Sequence, residues 1–494
     1  MIKLLRLEAV NLRYSIDDTE DLSTRRGGGY MLLQAVRDVQ AKFKNRLDPI
    51  STGASIGLFE VKDSSMNLEQ EVNNYLLKEY PHATFVVNMA EHDDFKHAVE
   101  ASVAKNRWQQ MQTLSFSSCW GQSDKVCGTD EFRPATSKDE HKGTPISLSV
   151  AMRRKDGRDL RQSFYHTELG TSDSVNLPEF TDETETLSKF GNRQEFSAIP
   201  PNLNGKMAVF YADGNSFGLH QRGCADVPAL VKWDTDLKGK RRKLLKDLLD
   251  WLDTQPLARN ADGKLRFETL LWGGDEMRFL LPAWLGLAFV KKFFELTRDW
   301  TYNDEKLTHA TGLVFAKHSA PISQLQSLVD KLADHGKESD KSQNTLSWIV
   351  LETFDHAGDN MKDFWQRNGI QADGWKKLLL NEEKITLLLD SIAPVKAKLP
   401  RSAMVRVLRS MAANKVADEF SLLRRGYQST DAAMEPQERE NFAVLWKSLC
   451  DMEWDSSPEM IPAEHAIAWT IIIELWDYLL PATAVQILKK EVTQ

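Results

Sequence analysis

The stretch LLWGGDEMRFLLPAW, Leu270 to Trp284, sets two glycines and two acids between apolar runs. Apolar runs split by a glycine pair predict a β-hairpin, because glycine supplies the positive φ that a two-residue primed turn demands. The expected turn residues are Gly273 and Gly274, whose missing side chains also let a phosphate approach the backbone. Asp275 and Glu276 are unexpected beside them, since acids are poor strand formers and costly next to a core. Successive strand side chains face opposite sides, so only one of the two should line a given point in space. A partner acid must come from elsewhere.

The strand AVFYADGNSFG supplies one: it ends on Asp213, with Gly214, Asn215 and Gly218 in a tight turn after it. In a βαββ sheet, this strand and the hairpin's first strand are expected to lie side by side, bringing Asp213 and Asp275 together at one edge. Two carboxylates this close repel unless a cation sits between them, and a divalent ion with oxygen ligands, Mg²⁺ or Mn²⁺, answers that need. Mg²⁺ keeps waters and prefers one or two carboxylates plus substrate phosphates, so the pair implies a nucleoside triphosphate. A two-metal arrangement would stabilise both the attacking hydroxyl and the leaving pyrophosphate. Glu276 reads equally well as a solvated edge acid or as a second-metal ligand or base for the ribose hydroxyl.

Further out, the hairpin belongs to an alternating block over residues 205–358. It runs from strand KMAVFYADG through helix RRKLLKDLLDWLDT, the hairpin, helix LGLAFVKKFFELTRDW and strand HATGLVFAK to helix ISQLQSLVDKLADHGKES, with TLSWIVLET as a closing strand. Residues 1–112 show the same alternation, which implies a tandem duplication of an α+β sandwich. Residues 113–204 are polar and irregular, with ISLSVAMRR strand-like, and read as a connecting subdomain. Residues 359–494 are helical in every strong pattern.

A chain of 494 residues suits about three domains. The net charge of −8 does not advertise a nucleic-acid coat. Four cysteines without a C-x-x-C pair fit a reducing compartment, so a cytoplasmic protein is expected. The apolar AIAWTIIIELWDYLL contains Glu474 and Asp477 and reads as a buried helix rather than a membrane span.

These motifs resemble the palm-domain large subunit of type III CRISPR effector complexes, the Cas-ten family, within the wider group of GGDEF cyclases and palm polymerases. Asp213, Asn215 and Gly218 match the family's Asp-x-Asn-x-x-Gly turn, and Gly273, Gly274, Asp275 and Glu276 match its Gly-Gly-Asp-Asp hairpin. Glu276 departs from the usual Asp, which is closer to the GGDEF cyclases. The likeness is specific over about 205–355 and weaker over 1–110. It implies two ferredoxin-like, nucleotidyl cyclase-type palms in an α+β chain, with an irregular insertion and a C-terminal helical domain. It also implies that Asp213, Asp275 and Glu276 are catalytic, the first two as metal ligands. Gly214, Asn215, Gly218, Gly273, Gly274 and Lys337 would bind substrate, Lys337 by meeting the triphosphate. The implied activity makes a cyclic nucleotide or cyclic oligonucleotide from ATP or another nucleoside triphosphate in antiviral defence. Implied partners are guide and target RNA with effector subunits, or a second copy of the chain. A non-catalytic RNA-binding scaffold and a nucleotide sensor are the alternatives.

The first palm has no acids at its own hairpin, Gly53 to Gly57, which implies catalytic silence. Where the family often carries a cysteine zinc cluster, only Cys119 and Cys127 stand, so no zinc is expected. RRGGGY, Arg25 to Tyr30, reads either as a flexible loop or as a phosphate cradle at a helix N-terminus. The basic runs 152–161 and 238–246 read as solvated faces or, less readily, as RNA contacts, since neither is interleaved with aromatics. The tryptophans, Trp446, Trp469 and Trp476 among them, are expected in cores.

Overall fold

The computed structural model describes residues 1–480 apart from 11, 13–15, 54, 63–66, 114–124, 140–142, 172–176, 191–198, 256, 353–363, 367–369, 371–373 and 414. Cys119 and the 358/359 boundary lie outside the described residues.

The first half folds into strands β1 (Ile2–Ala9), β2 (Leu47–Thr52), β3 (Ile56–Val61) and β4 (Phe85–His92), with helices α1 (Leu22–Lys42), α2 (Leu68–Glu79) and α3 (Phe95–Gln112). The sheet is antiparallel in the order β2-β3-β1-β4. Next comes α4 (Leu148–Leu169). The second half comprises β5 (Lys206–Gly214), α5 (Phe217–Gly223), α6 (Val227–Asp253), β6 (Glu268–Gly273), β7 (Glu276–Pro282), α7 (Gly286–Thr297), β8 (His309–Lys317), α8 (Ile322–Ser339) and β9 (Thr345–Val350). Its order is β6-β7-β5-β8-β9, which repeats the first sheet's arrangement and adds β9 parallel to β8. The expected α+β architecture is present.

One adjacency differs from expectation. β5 pairs with the hairpin's second strand, β7, and not with its first, β6. Because β7 runs antiparallel to both, β5 and β6 are parallel to each other. The α6 crossover that joins them leaves a slot one strand wide, and the returning arm of the hairpin fills it.

The strand expected over ISLSVAMRR also does not continue beyond Ile146. Ser147 caps a helix there instead, its hydroxyl accepting the Val150 N–H at 3.2 Å, and the helix continues for 22 residues. What overrides the β-propensity is packing against α1. The two helices cross at Gly27 and Gly157: a Cβ on Gly27 would lie 1.7 Å from the Arg153 carbonyl oxygen, and one on Gly157 would lie 2.0 Å from that of Ser23. Gly29 likewise abuts the Leu270 carbonyl oxygen at 2.8 Å. The glycine triplet of RRGGGY is therefore neither loop nor cradle. It sits inside α1, which Asp21 caps through the Thr24 N–H; Gly27 allows close approach of α4 and Gly29 close approach of β6.

The basic runs are mostly spoken for within the fold. Arg153 holds Asp18, Arg154 holds Asp21 and Asp139, and Arg161 holds Asp182 and Glu268. Lys238, Lys243 and Lys246 pair with Asp234, Asp247 and Asp250 one turn on or back along α6. Glu268, on β6 and fully buried, receives Arg26 from α1 at 2.8 and 2.6 Å and Arg161 from α4 at 3.0 Å. One carboxylate thus ties three segments together.

Leu5, Leu7, Val36, Phe59 and Val87 form a core of the first sheet's own. Its other residues, Leu4, Tyr30 and Ile50 among them, join one continuous apolar cluster that runs through the second sheet into the C-terminal helices. Those helices are α9 (Glu382–Ser391), α10 (Arg401–Ala412), α11 (Phe420–Ala432), α12 (Pro436–Cys450) and α13 (His465–Glu474). The turns that flank them join β8 and β9 through the Phe315–Tyr478 stack at 3.9 Å and the Trp348 indole N–H on the Leu378 carbonyl. Trp446, Trp469 and Trp476 are buried in this cluster, as expected. Among the described residues, no helix is long and apolar enough to cross a membrane.

Candidate active site

The site is built at one end of the second sheet. The apolar residues 207–212 bury β5 in mid-sheet, and the strand delivers Asp213 to its rim. Gly214 follows, where a Cβ would strike the Phe217 ring at 2.6 Å, and its N–H donates to the Asp275 carbonyl at 3.2 Å. Asn215 is buried. Its backbone and side-chain N–H groups donate to the Thr308 carbonyl and hydroxyl at 2.8 and 2.9 Å, and its Oδ1 receives no donor among the described residues. Ser216 takes a positive φ of 64° to start α5, whose second residue is Gly218.

At the hairpin the turn is displaced by one residue from expectation. Gly273 remains in the ladder opposite Glu276, and the two central residues are Gly274, with φ 57°, and Asp275. Gly273 does not take a positive φ, so one glycine rather than two supplies the left-handed backbone. This shift decides which acid faces Asp213. The residue directly across from it is Glu276, on the same face of the sheet, while Asp275 projects from the tip. Both acids act on Asp213, but the cross-strand partner is the one held secondary on sequence grounds.

Helix α8 lies over this face. Gly312 on β8 permits the approach, since a Cβ there would meet the Val329 carbonyl oxygen at 2.2 Å. From α8, Lys337 donates to Asp213 Oδ2, and Asp330 accepts from Arg278 at 2.6 Å. Tyr211, two residues before Asp213, donates its hydroxyl to Glu276 at 2.7 Å and lies under the Arg278 guanidinium. Lys337 therefore lies on this rim, resting on the Asp213 carboxylate.

Burial pushes the Asp213 carboxyl up to about 6; contact with Lys337 opposes this, and the charges of Asp275 and Glu276 add to it. Asp275 is likewise raised, first by burial and then by Glu276, against a backbone hydrogen bond, Lys337 and Arg241. Burial and then Glu276 and Asp213 hold the Tyr211 phenol well above its ordinary value. Negative charge is disfavoured on Asp213 and Asp275, with Glu276 exposed beside them, which is chemistry that a cation relieves. Among the described residues, no group of three or more His, Cys, Asp or Glu is arranged as a metal cage. A hard cation that keeps waters and takes phosphate oxygens needs only two carboxylates, so the donor set fits one.

Sequence reasoning missed Tyr211 and the Arg278–Asp330 pair. Tyr211 was available from the strand period of two, and Asp330 from its place two helical turns before Lys337.

No protein-family model and no curated protein matches the chain. Solved structures do. The crystal structure of Csm1 in T. onnurineus is 13% identical, with a TM-score of 0.53, over 97% of this chain and 69% of that one. A Csm1–Csm4 cassette in complex with cA3 is 11% identical, TM-score 0.52, over 95% of this chain and 69% of that one. A cassette in complex with one ATP is 12% identical, TM-score 0.50, over 91% and 69%. At these identities the likeness is one of fold. The chain has the Csm1 fold, and at that level the resemblance to type III palm subunits holds.

Proposed function

We propose that the chain is a metal-dependent nucleotidyltransferase or nucleotide cyclase that makes a cyclic nucleotide or cyclic oligonucleotide, in the first place an oligoadenylate from ATP, as a signal in CRISPR-type antiviral defence. The observation that carries this reading is the convergence of Asp213, Asp275, Glu276 and Lys337, from three separate elements, on one rim of the second sheet. That similarly folded cassettes were solved with ATP and with cA3 supports the choice of substrate and product.

Asp213 and Asp275 would hold Mg²⁺ or Mn²⁺, which when bound there neutralises the paired carboxylates and polarises phosphoryl oxygens. Lys337 supplies a cation to the triphosphate from the α8 side. Gly273 and Gly274 leave the hairpin backbone open to a phosphate, and Gly214, Asn215 and Gly218 shape the facing turn. Glu276, oriented by the Tyr211 hydroxyl, takes the proton of the attacking 3′-hydroxyl. The new bond joins that oxygen to the α-phosphorus as the bond to the β-phosphate oxygen breaks, and pyrophosphate leaves. The first sheet stands in the place of the second copy that a homodimeric cyclase needs. Guide and target RNA with effector subunits are the proposed activators.

The test is incubation of the purified chain with each nucleoside triphosphate and Mg²⁺ or Mn²⁺, with products read by mass spectrometry, beside Asp275→Ala. Product is expected from ATP and not from the variant. Equal rates would remove Asp275 from the mechanism.

A second reading, nucleotide binding without turnover by a sensor or a scaffold subunit, draws on the Lys337–Asp213 and Tyr211–Glu276 contacts, which satisfy two of the three acids without a cation. Tight ATP binding with no pyrophosphate release, with guide and target RNA present, would select it.

A further inference from the structure

Seven arginines are buried among the described residues. Arg25, Arg26, Arg153, Arg161 and Arg278 each hold a carboxylate, and Arg266 holds the carbonyls of Thr186, Leu187 and Lys189. Arg241 alone has neither. It is 6% exposed, its Nε is enclosed without an acceptor, and its guanidinium lies 4.6 Å from the centre of the Trp272 ring. A buried guanidinium without an anion is costly, because the ring face returns only part of the lost hydration.

Its neighbours do not complete it. Glu168 is committed to Arg37 and to the Trp272 indole N–H at 2.6 Å. Asp234 is committed to Lys238 at 2.6 Å, and to the Ser51 hydroxyl and Thr52 N–H at 3.1 and 3.2 Å. These contacts also locate Arg241. The tip of the first hairpin docks on α6 at Asp234, and the strand entering the second tip docks seven residues later at Arg241, about 10 Å along the helix axis. Trp272 is in register with Met277, and Met277 with Ala212, so it occupies the face opposite Asp213 and Glu276. Lys337 and Arg241 thus approach the Asp275 tip from opposite faces of the sheet, one from α8 and one from α6.

We infer that Arg241 is an anion-binding residue that receives the phosphate chain of a nucleoside triphosphate beside the Asp275 tip of the second hairpin. This deepens the proposed function and rests on it for the identity of the nucleotide, although the anion site can be tested separately. Guanidinium matches phosphate with two parallel N–H donors, and stacking on Trp272 fixes the plane of the fork.

The test is calorimetric titration of the full chain, free of divalent cations, with ATP, tripolyphosphate and adenosine, using wild type, Arg241→Gln and Arg241→Lys. Arg241→Gln is expected to weaken ATP and tripolyphosphate by roughly tenfold or more and to leave adenosine unchanged. Arg241→Lys should recover part of the loss, and thermal stability should not fall with either. Wild-type affinity of Arg241→Gln for tripolyphosphate would overturn the inference, as would an equal loss for adenosine. If Arg241→Gln does not fold, an undiminished tripolyphosphate affinity in Arg241→Lys overturns it instead. Weakened tripolyphosphate binding in a chain that makes no product from any nucleotide would end the nucleotidyltransferase reading and leave the anion site standing. Product formation with unaltered anion binding would do the reverse.

Discussion

Asp213 and Glu276 stand directly opposite each other on neighbouring antiparallel strands, and each is held by a donor from elsewhere, Lys337 for the first and Tyr211 for the second. Lys337→Met removes the cation that binds Asp213 on this rim. It is expected to lower stability by about 2 kcal/mol in urea titrations, less than a fully buried pair would cost because both partners keep some exposure. Mn²⁺ should raise the Tm of the variant more than that of wild type, and should do nothing for a chain carrying Asp213→Asn with Asp275→Ala. An equal shift in all three would show that the ion binds elsewhere.

Two glycine-to-alanine changes should move stability in opposite directions. At Gly27 the added methyl meets a helix backbone that cannot give way, and a loss of about 3 kcal/mol or more is expected. Gly239 is exposed within α6 with nothing within 4 Å, so Gly239→Ala should gain about 0.5–1 kcal/mol from helix propensity. Chemical denaturation of both variants reads the difference. A mild effect at Gly27 would mean that α1 and α4 do not cross as described.

Glu268→Gln leaves two buried guanidinium groups sharing a neutral amide. The cost should be about 3–5 kcal/mol, and replacing Arg26, Glu268 and Arg161 together by apolar residues of similar volume should recover much of it. Circular dichroism melts of the single and triple variants make the comparison.

Acid should weaken the fold through His309. Burial among Phe217, Phe293 and Trp300 lowers its pKa to about 4, against 6.5 unfolded. Between those values the unfolded chain takes up a proton that the folded chain refuses. The contribution is therefore whole above pH 6.5 and is lost as pH falls toward 4, the loss amounting to about 2 kcal/mol by pH 5. His309→Phe should reduce the difference between urea midpoints measured at pH 7 and pH 5, and an unchanged difference would assign the acid sensitivity to other groups.

What the sequence made legible follows the range of the interactions involved. The Gly-Gly-Asp-Glu hairpin and the Asp213 turn are local patterns, and both appear close to where the residues place them. The one-residue shift of the turn went unseen because two adjacent glycines each permit a positive φ, and only the ladder to β5 decides which one takes it. Gly27 and Gly29 read as loop because the partners that account for them, Gly157 and Leu270, lie far along the chain. The same distance hid the Arg26–Glu268 pair and the isolation of Arg241, since a run of basic residues looks alike whether its members face water or a core. Ser147 carried a usable signal, an N-cap before a long charged amphipathic run, that the β-branched residues around it obscured.

The carboxylate of Glu268 has one further consequence. A duplicated module ordinarily remains portable, able to be excised, transplanted or permuted as a unit. Here the second copy's outermost strand carries an acid whose balancing charges were placed on helices outside that copy, so cutting the chain between the repeats would strand one ion and two counter-ions on separate pieces. The repeat symmetry survives in the order of the strands, while the electrostatics have made the two copies obligate companions.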